Sequence, residues 1–459
     1  MSRITKLGLT GTPSKEYIAI SKDVSLTRKV TSIGQGTSHD TTGLSILNVA
    51  GSSPGLYQVF MGSGEGLNFV VGDALYDEAA VPNKYLVIDI SGDILTVFDS
   101  TGVGAGPDNS GSSFAAAKRY YNGSTPITDW ESELDDTDLY RIGDDSVGEC
   151  YNDAVFDESV TINGGSTVGL NSVTLTVADG EKHDGTAGTG ARIVRTSSGA
   201  LNIQTSYQTN ISWLEIDLNG NGATEAVGQN SNNNTDIITN DHLIVHSVTG
   251  NTHENEVFNG NGSFTLHNSI IYDCARASSF SAATYVAVGT ASNRNIKVFN
   301  TTVYNCGNPR DSASANARGI SVGDDEAADE IKNCISVDTY VTNVSATASD
   351  FNLGVNSTSD YNLSSDDTAD DRGSNSLINK TSSNQFVSTA SGSEDLHLKS
   401  GSDAIGAGVD LGTTPDGVNI DIDGFDRNSA GGNWDIGADQ FVATVSNISN
   451  ALLAFFIDF

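Results

Sequence analysis

Short runs of Val, Ile and Leu, broken by Ser, Thr, Asn, Asp and Gly, set the pattern of this chain. Inside most runs apolar and polar positions alternate, a period of two that predicts short strands joined by turns. Long stretches with helical periodicity are nearly absent.

From residue 212 to 340 the pattern repeats. Leu266–Cys274 (LHNSIIYDC), Val298–Cys306 (VFNTTVYNC) and Ile331–Thr339 (IKNCISVDT) align, with Asn268, Asn300 and Asn333 in register 32 and 33 residues apart. Two weaker copies, beginning at Ser212 and Asp241, extend the register with steps of 29 and 27. A period of this size with a strand in each unit predicts a solenoid. The expected fold is all-β: a right-handed parallel β-helix of three short strands per turn. Asparagines at one corner would stack and hydrogen-bond along the axis.

Residues 1–110 read differently. Glu16–Ile20, Gly55–Met61, Leu67–Val71, Lys84–Ile90 and Asp93–Asp99 predict a small antiparallel β module. A linker and capping helix are expected at 111–144, with Phe114–Leu134 as the best helical segment and Trp130 and Leu134 on its inner face. The coil is expected at 145–394, with irregular loops over its last 31 residues, 364–394. A closing segment, 395–442, and an apolar tail, 443–459, complete the chain. The tail is too apolar for a free end and predicts homo-oligomerisation, with a trimer compatible.

Composition narrows the partners. The 58 acidic residues outnumber 23 basic ones, a net charge of −35, which repels nucleic-acid phosphates and anionic lipid. No secretory signal opens the chain, and no segment has the roughly 18 apolar residues of a membrane helix. Of four cysteines, Cys274 and Cys306 hold equivalent repeat positions, so stacking should place one over the other. Parallel Cβ vectors suit buried thiols rather than a disulfide.

The closing segment carries a pattern of its own. Leu396, Leu398, Gly401, Ser402, Ala404, Ile405 and Gly408 are followed by Asp421-Ile-Asp423-Gly-Phe-Asp-Arg427 and Asp435-Ile-Gly-Ala438. These residues resemble the C-terminal cap of a widespread group of parallel β-helix proteins. Tyr120-Tyr121, Ile127–Glu131, Gly148–Tyr151, Glu181–Gly185 and the repeats resemble β-helix proteins of environmental tailed phages. Those are generally taken as virion appendages, and the resemblance covers about residues 85–340.

Candidate chemistry is sparse. Asp421, Asp423 and Asp426 cluster in sequence and could bind calcium, a hard cation that needs several oxygens; the competing reading has them pairing with Arg427 and backbone amides. Asp217–Glu225 resembles only the first half of a calcium loop. His242 and His246 share a strand face but lie about 13 Å apart, too far to chelate one ion. Gly185–Gly190 lacks the Lys-Ser/Thr of a phosphate loop. Asp273 has Asn305 one turn away, where a partner carboxylate would be needed for glycosidase chemistry.

No catalytic residue is assigned. The expected function is a phage virion structural protein: a capsid decoration, spike or tail fibre. It would attach to other virion proteins through residues 1–110 and possess a rigid β-helix that binds host glycan. The alternatives are a polysaccharide-degrading lyase or hydrolase and a bacterial surface adhesin.

Overall fold

The computed structural model describes, before residue 125, only the strands named below and a few turn positions. From 125 to 443 it describes all but 137–139, 141, 196–198, 206, 221–225, 230–237, 251–255, 261–262, 277–284, 290–294 and 323–328. The apolar tail from residue 444 onward, and the expected strands Glu16–Ile20 and Leu67–Val71, lie outside the described residues.

Three long parallel sheets wind around one interior, six turns each contribute a strand to all three, and four of those turns add a two-residue strand to a short fourth parallel sheet running from Thr249–Gly250 to Tyr340–Val341. The first sheet includes Ser172–Val177, Gln208–Ser212, Ile238–Asp241, Phe264–His267, Ile296–Phe299 and Glu330–Lys332. The second includes Arg192–Val194, Glu215–Asp217, Ile244–His246, Ile270–Tyr272, Thr302–Tyr304 and Ile335–Val337. The third runs from Val160–Ile162 to Ala348–Asn352. This is the parallel β-solenoid that the repeat predicts. Its interior is filled by Ile, Val, Leu and Phe side chains, one to three from each strand, stacked turn on turn. All four cysteines are free and buried, and burial pushes the Cys274 and Cys334 thiols up.

The corner between the first and second sheets decides the shape. Trp213, His242, Asn268, Asn300, Asn333 and Tyr361 all have positive φ, between 45° and 63°, so the chain turns there through a left-handed residue. Asn tolerates that conformation better than most residues. Strand pairing sets Asp241 beside His267, which puts His242, not Asp241, in the asparagine column.

The asparagines form a directional ladder. Asn333 Nδ2 donates to Asn300 Oδ1 at 3.1 Å, and Asn300 Nδ2 to Asn268 Oδ1 at 3.1 Å. Asn268 Nδ2 donates to Asp241 Oδ1 at 3.1 Å. The second amide hydrogen of each reaches the carbonyl of Val409, Val418 or Gly417. Those carbonyls belong to the closing segment.

That segment lies along the flank of the coil, not across its end. The second-sheet strands of four turns, Ile244–His246 through Ile335–Val337, are buried at every position. Their middle residues face the interior, and their outer residues meet Leu396, Leu398, Ala404, Ile422, Ile436 and Ala438. A parallel sheet covered on both faces reads as a continuous apolar run, which explains Ser-Ile-Ile-Tyr and Thr-Thr-Val-Tyr in the repeats. Gly437, at φ 104°, sits so close to Ile335 and Thr302 that a Cβ would come within 2.7 Å of Ile335 Cδ1.

The end of the coil is closed instead by residues 364–380, expected to be irregular loops. Asp366 Oδ2 accepts from Asp350 N–H and Thr368 Oγ1 from Phe351 N–H, covering the edge of the third sheet. Leu377 bonds along Leu363–Ser364, the last strand of the second. Open edges of this kind otherwise template further pairing.

At the other end two expectations change. Arg28–Ile33, expected in the N-terminal module, pairs in parallel with Asp145–Cys150 and belongs to the first sheet. Phe114–Tyr121, expected to be helical, forms the strands Phe114–Lys118 and Tyr120–Tyr121. The first closes an antiparallel barrel with Leu44–Ser53, Leu56–Met61, Ala74–Asp77, Lys84–Ser91 and Ile94–Phe98; the second pairs with Ser32–Ile33. Barrel closure overrides the helix propensity of the three alanines. The helix is limited to Pro126–Ser132, with Pro126 in its first turn. Ile127, Trp130 and Leu134 pack into the first turn of the interior. Glu158 accepts from Ile127 and Thr128 N–H, and Glu131 from Asn163 and Gly164 N–H, so the helix is fixed over the start of the coil.

Asn300→Ala should cost roughly 2–4 kcal/mol, because it strands the Val418 carbonyl and one amide hydrogen of Asn333 in a buried site. Asn300→Gly restores the left-handed turn and should fall between the two. Denaturant unfolding of the three proteins checks the order.

Candidate functional site

The asparagine column changes character at its early turns. Where later turns carry Asn, turns nearer the start carry His242 and Trp213. A bulky Trp at φ 63° is unfavourable there, so another constraint holds it. Trp213 stacks on His242 with ring centroids 3.9 Å apart and planes 15° off parallel, and His183 tilts against it at 5.5 Å. Lys182 Nζ lies 4.9 Å over the ring.

These residues line a cleft of 580 Å³ between the coil and the 417–424 stretch of the flanking segment. Asp184, Asp241 and Asp423 also line it. The backbone turn Asp184–Thr189 forms one rim: Asp184 Oδ1 accepts from Thr186 N–H and Thr189 Oγ1. This is the turn expected at Gly185–Gly190, with Gly185 and Gly188 at positive φ.

The histidines are held in defined roles. His183 Nε2 donates to the His242 carbonyl at 2.8 Å while its Nδ1 accepts from Gly185 N–H. That pattern requires neutral imidazole, and burial lowers the His183 pKa to about 4. His242 Nε2 donates to the Asp421 carbonyl at 2.8 Å. Asp241 Oδ1 lies 2.6 Å from His242 Nδ1 and 2.8 Å from His267 Nδ1. Burial alone would raise the Asp241 carboxyl, but the two histidines outweigh it and hold it well below the usual carboxylate range. His246 lies elsewhere, bonded to buried Glu215 at 3.0 Å, and His253 is outside the described residues. His242 and His246 therefore do not converge on one ion. His267 joins His242 on Asp241, a pairing hidden by the one-residue offset in the repeat alignment.

The expected calcium triad separates. Asp426 sits at the surface, where its Oδ1 accepts from Asn428 N–H and Asn419 Nδ2. The third carboxylate beside Asp421 and Asp423 is Asp439, with one oxygen of each within 4.8 Å of the others. This group does not fit a hard cation well. Asp421 already accepts from the backbone N–H groups of Asp423, Phe425 and Gln440. Asp439 accepts from Leu398 N–H. Buried Arg427 and His397 supply the positive charge. Arg427 donates to the carbonyls of Asp435, Gly437, Ala438 and Asp439, not to the carboxylates. His397 is clasped between Asp395 Oδ1 at 2.6 Å and Asp423 Oδ1 at 2.8 Å.

Asp273 meets Asn305 Nδ2 at 2.7 Å, as the register implies. Burial and the nearby Glu394 raise its carboxyl. Glu394 comes from the hairpin strand Ser393–Leu398, which lies outside the repeat and carries no signal in its register.

Compared with known proteins, the chain matches no family model, no curated protein and no solved structure. Among the described residues, no helix is long and apolar enough to cross a membrane.

The clasp predicts a pH dependence. Burial alone would lower the His397 pKa, but Asp423 and Asp395 raise it from 6.5 to about 10. A raised folded value gives stability that is full below pH 6.5 and lost as pH rises through 10. Asp439, raised from 3.8 to about 7 by burial, acts in the same direction between those values. Thermal stability should therefore fall as pH climbs from 6.5 to 10, and His397→Gln should flatten that fall. Calcium should leave the melting temperature of the wild-type protein unchanged; a rise would mean that the ion displaces His397.

Proposed function

We propose that this chain is a structural component of a tailed-phage virion, a rigid appendage that presents a glycan-binding surface to the host. The flank-bound closing segment carries this reading. Solenoids held only by nearest-neighbour contacts fray turn by turn. Here the closing segment touches the coil at Asn333, Asn300, Asn268, His242, Trp213 and Gly185, tying successive turns into one body. Such a rod suits a projecting part that must keep its shape under load.

The N-terminal barrel serves as the attachment element toward other virion proteins. The apolar tail supports assembly into a homo-oligomer, with a trimer as the symmetry that suits a projecting spike. The net charge of −35 directs recognition away from DNA and anionic lipid and toward protein and uncharged glycan.

Mass spectrometry of purified phage particles should find the chain, and antibody labelling should place it on the particle exterior. Absence from particles combined with surface labelling of bacterial cells would favour the adhesin reading. Release of reducing ends from host-type polysaccharide would replace the structural reading with an enzymatic one.

A further inference from the structure

We propose that the cleft beside Trp213 binds a sugar residue of a neutral or amino-bearing glycan. The inference deepens the glycan-presenting reading above and rests on it, but its test uses the isolated protein.

Three features converge on this ligand class. First, the column position of Trp213 is one that Asn fills in later turns without strain, so the aromatic plate is not explained by the turn itself. His242 stacks on the plate at 3.9 Å, and His183 and Lys182 Nζ lie against it at 5.5 and 4.9 Å. Lys182 is tethered by an i,i+3 pair to the fully exposed Asp179, a weak restraint that a ligand can displace. A pyranose ring offers a C–H face of slightly positive character, which matches the negative face of an indole.

Second, the three carboxylates at the cleft engage protein donors through one oxygen. Asp184 uses Oδ1 for Thr186 and Thr189, Asp241 uses Oδ1 for His242, His267 and Asn268, and Asp423 uses Oδ1 for His397. Their Oδ2 atoms are the acceptors that sugar hydroxyls require. Lys182 adds a donor at the same place. Hydroxyl groups both donate and accept, and this mixed set suits them.

Third, charge selects within the class. Three carboxylates face Lys182 and the His397 imidazole paired to Asp423, which leaves the cleft net negative, so uronates and phosphorylated sugars are repelled while an amino sugar gains an ion pair. A free polyamine fits less well, because it meets Lys182 over the ring.

The chain contains three tryptophans, and Trp130 and Trp434 are 0% and 1% exposed, so acrylamide quenching reports on Trp213. Neutral and amino-sugar oligosaccharides, hexuronate oligomers and spermidine are titrated against the full chain. The expected result is loss of most of the acrylamide quenching with a neutral or amino-sugar oligomer, and no change with hexuronates. Trp213→Ala should weaken binding by about tenfold or more in calorimetry. The wild-type quenching stands alone should that variant not fold. The proposal is overturned if no neutral or amino sugar protects Trp213, or if spermidine protects it better. Such a failure leaves the virion assignment to particle composition, which the quenching does not touch.

Discussion

From Trp213 to Tyr361 each turn of this coil passes from the first sheet to the second through a single left-handed residue, and the fold depends on how that corner is satisfied. A parallel coil places equivalent residues about 4.8 Å apart along the axis. At that spacing a column of asparagines can pass hydrogen bonds from turn to turn, each amide donating to the oxygen below it. From Asn333 to Asn268 the bonds all point one way and end on the Asp241 carboxylate. Aligned donors of this kind polarise one another and favour the anion at their end. The two histidines on Asp241 complete the same electrostatic arrangement.

One amide hydrogen per asparagine remains, and it must be met because the column is buried. The closing segment meets it with the carbonyls of Val409, Val418 and Gly417. Polar satisfaction and apolar burial therefore recruit the same piece of chain. The outer residues of the second sheet would be an exposed apolar stripe without it, and its Leu, Ile and Ala residues cover them. The motif residues of the segment serve this docking. Asp435 accepts from Gly406 and Phe441 N–H, Arg427 binds four carbonyls, and Gly437 allows close approach. Where the ladder gives way to His242 and Trp213, the segment still touches the coil through the Asp421 carbonyl, and the cleft opens beside that contact.

Much of this was legible in the sequence. The Asn268, Asn300 and Asn333 column, the stacked buried cysteines and the strand periodicity are read directly from spacing, because they repeat. Features that do not repeat were not legible. Asp241 and His242 fell one position out of register because loop lengths between turns vary. Asp426 was grouped with Asp421 and Asp423 by proximity along the chain, whereas Asp439 is brought in by the fold of the segment. The unalternating runs Ile270–Tyr272 and Thr302–Tyr304 are the sign in the sequence that a second layer covers the sheet. Ala115–Ala117 misled because local helix preference carries no information about barrel closure. Trp213 stands out only after the column is built, since its meaning is that it replaces Asn.

Ladder and flanking segment form one cooperative unit. Native-state hydrogen exchange measured by mass spectrometry, on wild-type protein and Asn300→Ala, tests it most directly. The substitution should lower protection together in Phe264–His267, Thr302–Tyr304 and the stretch 404–424, with a shared opening energy. Loss of protection confined to the turn that carries residue 300, with the flanking stretch unchanged, would contradict it.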